Sequence, residues 1–267
     1  MKLAARRASR LRWWREVLYV GAFYGVYSLI RNHGLATDSV DRAFAHAKEI
    51  IRLEQLTGLY HEETIQDWFL GARWFIRFWN IYYGTAHFVV TALALVWLFR
   101  RMPERYPLWR NALACTTGLA LIGFALYPLM PPRLLNACGP YGACATHNYG
   151  FVDTLREIGG LWSFDSGTIQ KLSNQFAAMP SLHVGWATWS TMVLWPACRR
   201  GWQKALAVAH PVATVFCIVV TGNHYLLDAV GGWATLAAGL GLAVVFTRYT
   251  WVTDDALATR TASSRPL

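Results

Sequence analysis

MPSLHVGWATWSTMVLWPACRR, residues 179–200, decides how the rest of the chain is read. From Pro180 to Cys198 it holds no lysine, arginine, aspartate or glutamate, and two arginines end it. A charge-free run of this kind matches the roughly 17–25 residues that a helix needs to cross a bilayer. Five further runs share its character, near 17–31, 79–99, 111–129, 205–223 and 228–247. The first of them is short, and no small-residue cleavage site follows it, so it reads as an anchor. The fold expected is all-α, a six-transmembrane helix bundle.

Composition agrees. The 267 residues are 55% hydrophobic and 15% aromatic, with only 15% charged, against about 25% charged in an ordinary soluble domain. The net charge of +10 would suggest nucleic acid on a soluble chain, but the placement of the charges argues otherwise. Lys2, Arg6, Arg7, Arg10, Arg12, Arg15, Arg100, Arg101, Arg105, Arg110, Arg199, Arg200, Lys204, Arg248, Arg260 and Arg265 all fall in alternate connections. Among them stand only Glu16, Glu104, Asp254 and Asp255. Cytoplasmic loops carry such an excess. Both termini are therefore expected in the cytoplasm, and the basic surplus requires no nucleic acid.

The expected organisation is a basic cytoplasmic arm (1–15), one membrane-embedded catalytic domain (16–250) and a mobile cytoplasmic tail (251–267). The outer segments are then 32–78, 130–179 and the short 224–227. In the first, DRAFAHAKEIIRLEQLTG sets Ala43, Phe44, Ala47, Ile50, Ile51 and Leu53 at helical spacing, with Gly58 as a stop. HEETIQDWFL reads as a second short amphipathic helix, and the pair is expected to lie on the outer membrane surface. The second outer segment is rich in Gly, Pro and Asn and too long for an ordinary connection. Its Cys138 and Cys144 can form a disulfide outside the cytoplasm; two free thiols are the alternative. Cys115, Cys198 and Cys217 read as packing residues.

Several polar residues fall at one depth. Span three ends outward in YPLMPPR, carrying Arg133. Span four starts there with PSLH, span five ends there with TGNH, and span six begins with Asp228. His87, the last residue of NIYYGTAH, lies in the first turns of span two. Ionisable groups bordering a membrane are costly and point to function. Pro180 suits the first helical position, which would put Ser181 and His183 in a first turn whose free N–H groups bind phosphate. His224 and Asp228 are four apart, on one face of a helical turn. A carboxylate on one ring nitrogen fixes the tautomer and frees the other nitrogen to attack. Two histidines can then divide the work between nucleophile and general acid, with an arginine on the phosphoryl oxygens. These are the parts of a phosphoryl-transfer site.

Taken together, PPR, PSLH and HYLLD resemble the type 2 phosphatidic acid phosphatase superfamily. LEQLTGLYHEETIQ, NIYYGTAH, PLMPPR, MPSLHV and NHYLLDAVGG resemble most its branch of inositol phosphorylceramide synthases and their bacterial relatives. The resemblance covers about residues 50–235. It implies that His224 is the nucleophile, forming a phosphohistidine, that Asp228 orients it, and that His183 protonates the leaving alkoxide and then activates the acceptor. Ser181 and Arg133 would hold phosphate oxygens, and the family needs no metal or other cofactor. His87, Lys171, Asn80 and Tyr83 are additional candidates. The partners implied are a phospholipid donor and an alcohol acceptor, inositol-like or a glycolipid, or water. There are departures. Span three lacks the lysine usual in the lipid phosphatases, and Ile218 stands where they carry an arginine six residues before the nucleophile. This shortage of cations favours the phosphotransferase branch.

Two other readings compete. In a metallohydrolase, His87, His183, His224 and Asp228 would ligate a metal. A proton-coupled carrier or scramblase would use the polar layer as a relay, although carriers place such groups near the midplane and carry inverted repeats, of which the chain has none. His210, about 21 Å from His224 along a helix axis, is set aside. His33, His46, His61 and His147 read as solvated loop residues. Gly231 and Gly232 read as sites of close helix approach.

Overall fold

In a computed structural model of the chain, residues 12–21, 25, 40–160 and 175–263 are described, with side chains through residue 247. All the regular structure among them is helical: α1 (Val40–Thr57), α2 (Glu62–Leu70), α3 (Arg73–Arg101), α4 (Tyr106–Leu126), α5 (Thr154–Glu157), α6 (Leu182–Leu194), α7 (Gly201–Val220) and α8 (Leu226–Ser263). Residues 13–21 are helical too, and Glu16 there pairs with Arg110 of α4 at 2.8 Å.

Three of these helices are long and apolar enough to cross a membrane: Arg73–Arg101, Gly201–Val220 and Leu226–Thr247. Six spans were expected. The run at 111–129 became α4, whose first turns carry Arg110 and Asn111. The run at 180–198 became α6, only 13 residues long, because Pro196 closes it in a 3-10 turn at Trp195–Ala197. The run at 17–31 falls mostly outside the described residues. Much of the expected tail, to Ser263, continues α8 as helix.

The long helices turn large apolar side chains outward, among them Leu93, Ile122, Leu126, Leu206, Val212 and Val245. In water such a surface would be costly. In lipid it is the solvated face. α4 and α8 pack along one another more extensively than any other pair. A side chain at Gly239 would strike Thr116 of α4, and one at Gly232 would strike the Ser181 carbonyl at the start of α6. Gly232 thus sets a close approach, as expected, whereas Gly231 has ordinary contacts of 3.4 Å or more with Pro180 and Met179.

α1 and α2 close one end of the bundle. Ala43, Ala47, Ile50 and Ile51 of α1 are buried against Leu129, Met130, Leu134, Leu135, Phe151 and Tyr225, while Leu53 and Leu56 stay exposed. The amphipathic pattern therefore survives, and its apolar stripe covers the protein core. Gly58 ends α1 at φ +71°. Cys138 and Cys144 are disulfide-bonded. His46 is not a solvated loop residue: it sits within α1, bonds the Pro128 carbonyl at 2.7 Å and stacks on Tyr127.

Candidate active site

The site starts from a helix end. Gly222 takes φ +66°, a left-handed conformation that glycine adopts without steric cost. Asn223 N then donates to Ile218 O and Gly222 N to Val219 O, each at 2.9 Å, the paired bonds of a Schellman cap. The reversal delivers His224 just before α8 begins. The spacing suggested that His224 and Asp228 share a helical face. Instead His224 precedes the helix, and a turn in which Asp228 N donates to Tyr225 O (3.2 Å) brings the two together.

His224 Nδ1 lies 2.7 Å from the Ala178 carbonyl and 3.2 Å from Asp228 Oδ2. A carbonyl oxygen only accepts, so Nδ1 donates to it, and in the neutral ring Nε2 keeps its lone pair. The orienting partner inferred from spacing was Asp228, but the nearer acceptor is a backbone oxygen. Asp228 Oδ2 also accepts from Tyr225 N at 2.9 Å. His224 Nε2 is buried without a partner, as are Ser181 Oγ, Asp228 Oδ1 and His87 Nδ1. Orphaned buried polar atoms are costly and rare. Four around one turn mark a place built for a polar occupant.

Three imidazoles and a phenol gather there. The His183 ring centroid is 5.4 Å from that of His224 and 4.1 Å from that of His87. Tyr83, four residues before His87 on α3, stacks on His183 at 4.1 Å and lies 6.2 Å from His224. Among the described residues no group of His, Cys, Asp and Glu has the arrangement to hold a metal ion.

α6 begins at Leu182, later than expected. Ser181 is its N-cap with extended backbone, and Pro180 lies outside the helix. The reason is local: Ser181 N donates to the Asp228 carbonyl at 2.9 Å, which ties the residue to α8. Its hydroxyl caps nothing.

Three of the five guanidinium N–H donors of Arg133 are engaged. Nε donates to Asn223 Oδ1 (3.0 Å), Nη1 to Asp153 Oδ2 (3.0 Å) and Nη2 to Gln175 Oε1 (2.7 Å). Its backbone N donates to Gly222 O at 2.8 Å. It thus adjoins the His224 turn and also lines a cavity of ≈ 170 Å³ with Tyr141, Asp153, Arg156 and Gln175. Asn80 is not brought to the histidines as a free group. Its amide donates to the Thr154 and Gly159 carbonyls, both at 2.9 Å, and accepts from Thr154 Oγ1. It ties α3 to the α5 turn. Lys171 lies outside the described residues. His210 pairs with Tyr82 at 2.8 Å.

Sequence reasoning gave no role to Glu54, Glu62, Asn223, Asp153 or Gln175. One signal was available: Glu54 continues the buried stripe of α1 after Ala43, Ala47, Ile50 and Ile51, where a carboxylate has no place without partners. The others are recognisable only once the chain is folded.

No curated protein and no solved structure matches the chain. Residues 48–242 match the family model of the PAP2 superfamily. That range takes in the second half of α1, all of α2, Arg133, the α6 start and the His224 turn. The chain belongs to the PAP2 superfamily, whose members are phosphatase- and phosphotransferase-type enzymes.

Proposed function

We propose that the protein is a membrane phosphotransferase of the inositolphosphotransferase-like branch, acting on an anionic phospholipid through a phosphohistidine at the extracytoplasmic face. The observation that carries this reading is the 5.4 Å approach of the His183 and His224 rings, with the proton of His224 committed to the Ala178 carbonyl.

His224 Nε2 attacks phosphorus with its lone pair. The bond from phosphorus to the lipid oxygen breaks, its electrons pass to that oxygen, and His183 supplies the proton. The acceptor hydroxyl then attacks the phosphohistidine, its proton passes to His183, and the P–N electrons return to His224. Ser181 Oγ and the Arg133 guanidinium hold the non-reacting oxygens. Positioning and charge stabilisation supply most of the rate in such transfers.

Charge supports transfer from a diester over hydrolysis of a monoester. Arg133 is already balanced by Asp153 at 3.0 Å, and position 218 is a buried isoleucine. A singly charged phosphodiester suits that balance better than a monoester dianion. Extracytoplasmic placement rests on the distribution of lysine and arginine.

The test uses purified full-length protein in mixed micelles with a phosphate-labelled anionic phospholipid, with and without an added polyol or glycolipid alcohol. Acid-labile label on the protein and a new phosphodiester formed only with alcohol are expected. Release of the labelled phosphomonoester at the same rate in both arms, or of inorganic phosphate from labelled phosphatidic acid supplied instead, would make water the acceptor and the protein a lipid phosphate phosphatase. Absence of any labelled protein would remove the phosphohistidine.

A further inference from the structure

The first N–H groups of α8 are taken by carboxylates, and two of these come from the surface helices. Tyr225 N donates to Asp228 Oδ2 at 2.9 Å, Leu226 N to Glu62 Oε1 at 2.8 Å, and Leu227 N to Glu54 Oε1 at 2.7 Å. Glu54, Glu62 and Asp228 have no solvent exposure. Glu62 Oε2 also accepts from His61 N at 3.0 Å, whereas Glu54 Oε2 is buried without such a donor. Carboxylates favour a helix N-terminus, but one of the two surface-helix acids would suffice for that. These two serve the successive N–H groups of Leu226 and Leu227, and Glu62 faces Glu54.

We propose that Glu54 and Glu62 are positioning residues for His224: a buried carboxyl pair holding one proton that pins the first turn of α8, and with it the His224–Asp228 geometry, so that turnover depends on keeping that proton. The inference rests on the reading of His224 as nucleophile. Two buried carboxyls in contact do not both ionise. Protonated, Glu54 keeps its carbonyl oxygen on Leu227 N and turns its O–H toward Glu62, which satisfies the otherwise orphaned oxygen.

Burial, first, and then Glu62 push the Glu54 carboxyl up to about 9 from an ordinary 4.5, with Asp228 adding to the rise and the Leu227 N–H opposing it. Other titratable groups on packed elements include Tyr60 and Tyr225, whose own values are raised by burial and by these acids, Glu63 and Tyr149, which face Tyr60, and His224 beside Asp228. Because the folded value is raised, the proton's contribution to the clamp is complete below about 4.5 and is lost as pH rises through about 9.

The test compares wild-type protein with Glu54→Gln and Glu54→Ala in mixed micelles containing a labelled anionic phospholipid, across pH 6 to 10.5. Infrared difference spectra of the same samples, without substrate, are recorded in parallel. The expected result is a wild-type alkaline limb near pH 9 that Glu54→Gln removes. That variant keeps turnover at pH 7 within about 3-fold, because an amide reproduces both hydrogen bonds. Glu54→Ala, which strands the Leu227 N–H, loses about 10-fold or more at every pH. The infrared carbonyl band of a protonated carboxylic acid is expected to titrate away near pH 9 in wild type and to be missing in Glu54→Gln. An alkaline limb unchanged in Glu54→Gln, or wild-type turnover in Glu54→Ala, overturns the positioning role. A wild-type spectrum without that band overturns the shared proton even if no turnover is found. Absent turnover in wild type counts against the proposed function instead.

Discussion

Ser181 N donates to the Asp228 carbonyl at 2.9 Å, and this backbone bond joins the two chain segments that carry the histidines. Ser181 lies two residues before His183, and Asp228 four residues after His224. The 5.4 Å spacing of the rings is therefore set by main chain, with the side chains following. Gly232 permits it, since any Cβ there would meet the Ser181 carbonyl. In the proposed mechanism, positioning of this kind lets two imidazoles act on one phosphorus centre without rearrangement at each turnover.

Under the proposed mechanism the two histidines are expected to fail differently. His224→Gln removes the attacking lone pair and abolishes both turnover and labelled protein. His183→Gln removes the proton donor and lowers turnover on lipid by about 10²–10⁴-fold. That loss shrinks on an activated aryl phosphodiester, whose leaving group needs no proton. Rates on the two substrates measure this. Equal losses on both would assign His183 to binding.

Asp228→Asn is expected to be milder than a two-partner reading of His224 suggests. Ala178 O still holds Nδ1–H at 2.7 Å, so the tautomer survives, while the bond to Asp228 at 3.2 Å is weakened. Loss of charge stabilisation for the imidazole during phosphorylation is expected to lower kcat by about 10–100-fold, roughly 1.4–2.8 kcal/mol. Rapid-quench measurement of labelled protein would locate the loss in its formation. A fall as deep as that of His224→Gln would mean that the carbonyl does not hold the ring.

Much of this was legible in the sequence because its signals are periodic or local. Charge-free runs marked α3, α7 and α8, and apolar spacing marked α1 and its stop at Gly58. The PSLH and H-x3-D spacings marked two ends of one site, where Tyr83 and His87 also gather. Other features have no local signature. Ala178 contributes only a carbonyl, which every residue type offers. Glu54 and Glu62 act on N–H groups more than 160 residues later in the chain. Asn80 is a site candidate because it shares the NIYYGTAH motif with His87, while its amide faces Thr154 and Gly159. A proline within the apolar run ends α6 in a 3-10 turn without adding charge, so the charge-free run at 180–198 is longer than the α-helix it contains.

The Arg133–Asp153 pair sets up a test of charge preference. Arg133 spreads three donors over Asn223, Asp153 and Gln175, a planar fork that lysine cannot reproduce. Arg133→Lys is therefore expected to raise KM for the lipid and lower kcat together. Asp153→Asn keeps the fork and removes the counter-charge. It is expected to improve relative turnover of phosphomonoester dianions over diesters by about 5-fold, the factor that about 1 kcal/mol of ion pairing represents. Competition between a labelled monoester and a labelled diester reads the ratio directly, and no change would separate Asp153 from the phosphate.

Two glycines of α8 offer a last comparison. Gly241 has open space where a Cβ would go. Gly241→Ala is thus expected to leave activity intact and to stabilise the helix by up to about 1 kcal/mol. Gly232→Ala gains the same propensity but places a methyl group against the Ser181 carbonyl. Overpacking of this kind costs about 1–3 kcal/mol, and it must be relieved by moving α6 away from α8. That movement carries Ser181 and His183 with it, so activity is expected to fall further than the midpoint of thermal unfolding alone would predict. Unfolding and turnover measured on both variants in one detergent decide the point: a stable, fully active Gly232→Ala would show that the two helices have room to spare and that their close approach does not set the distance between the histidines.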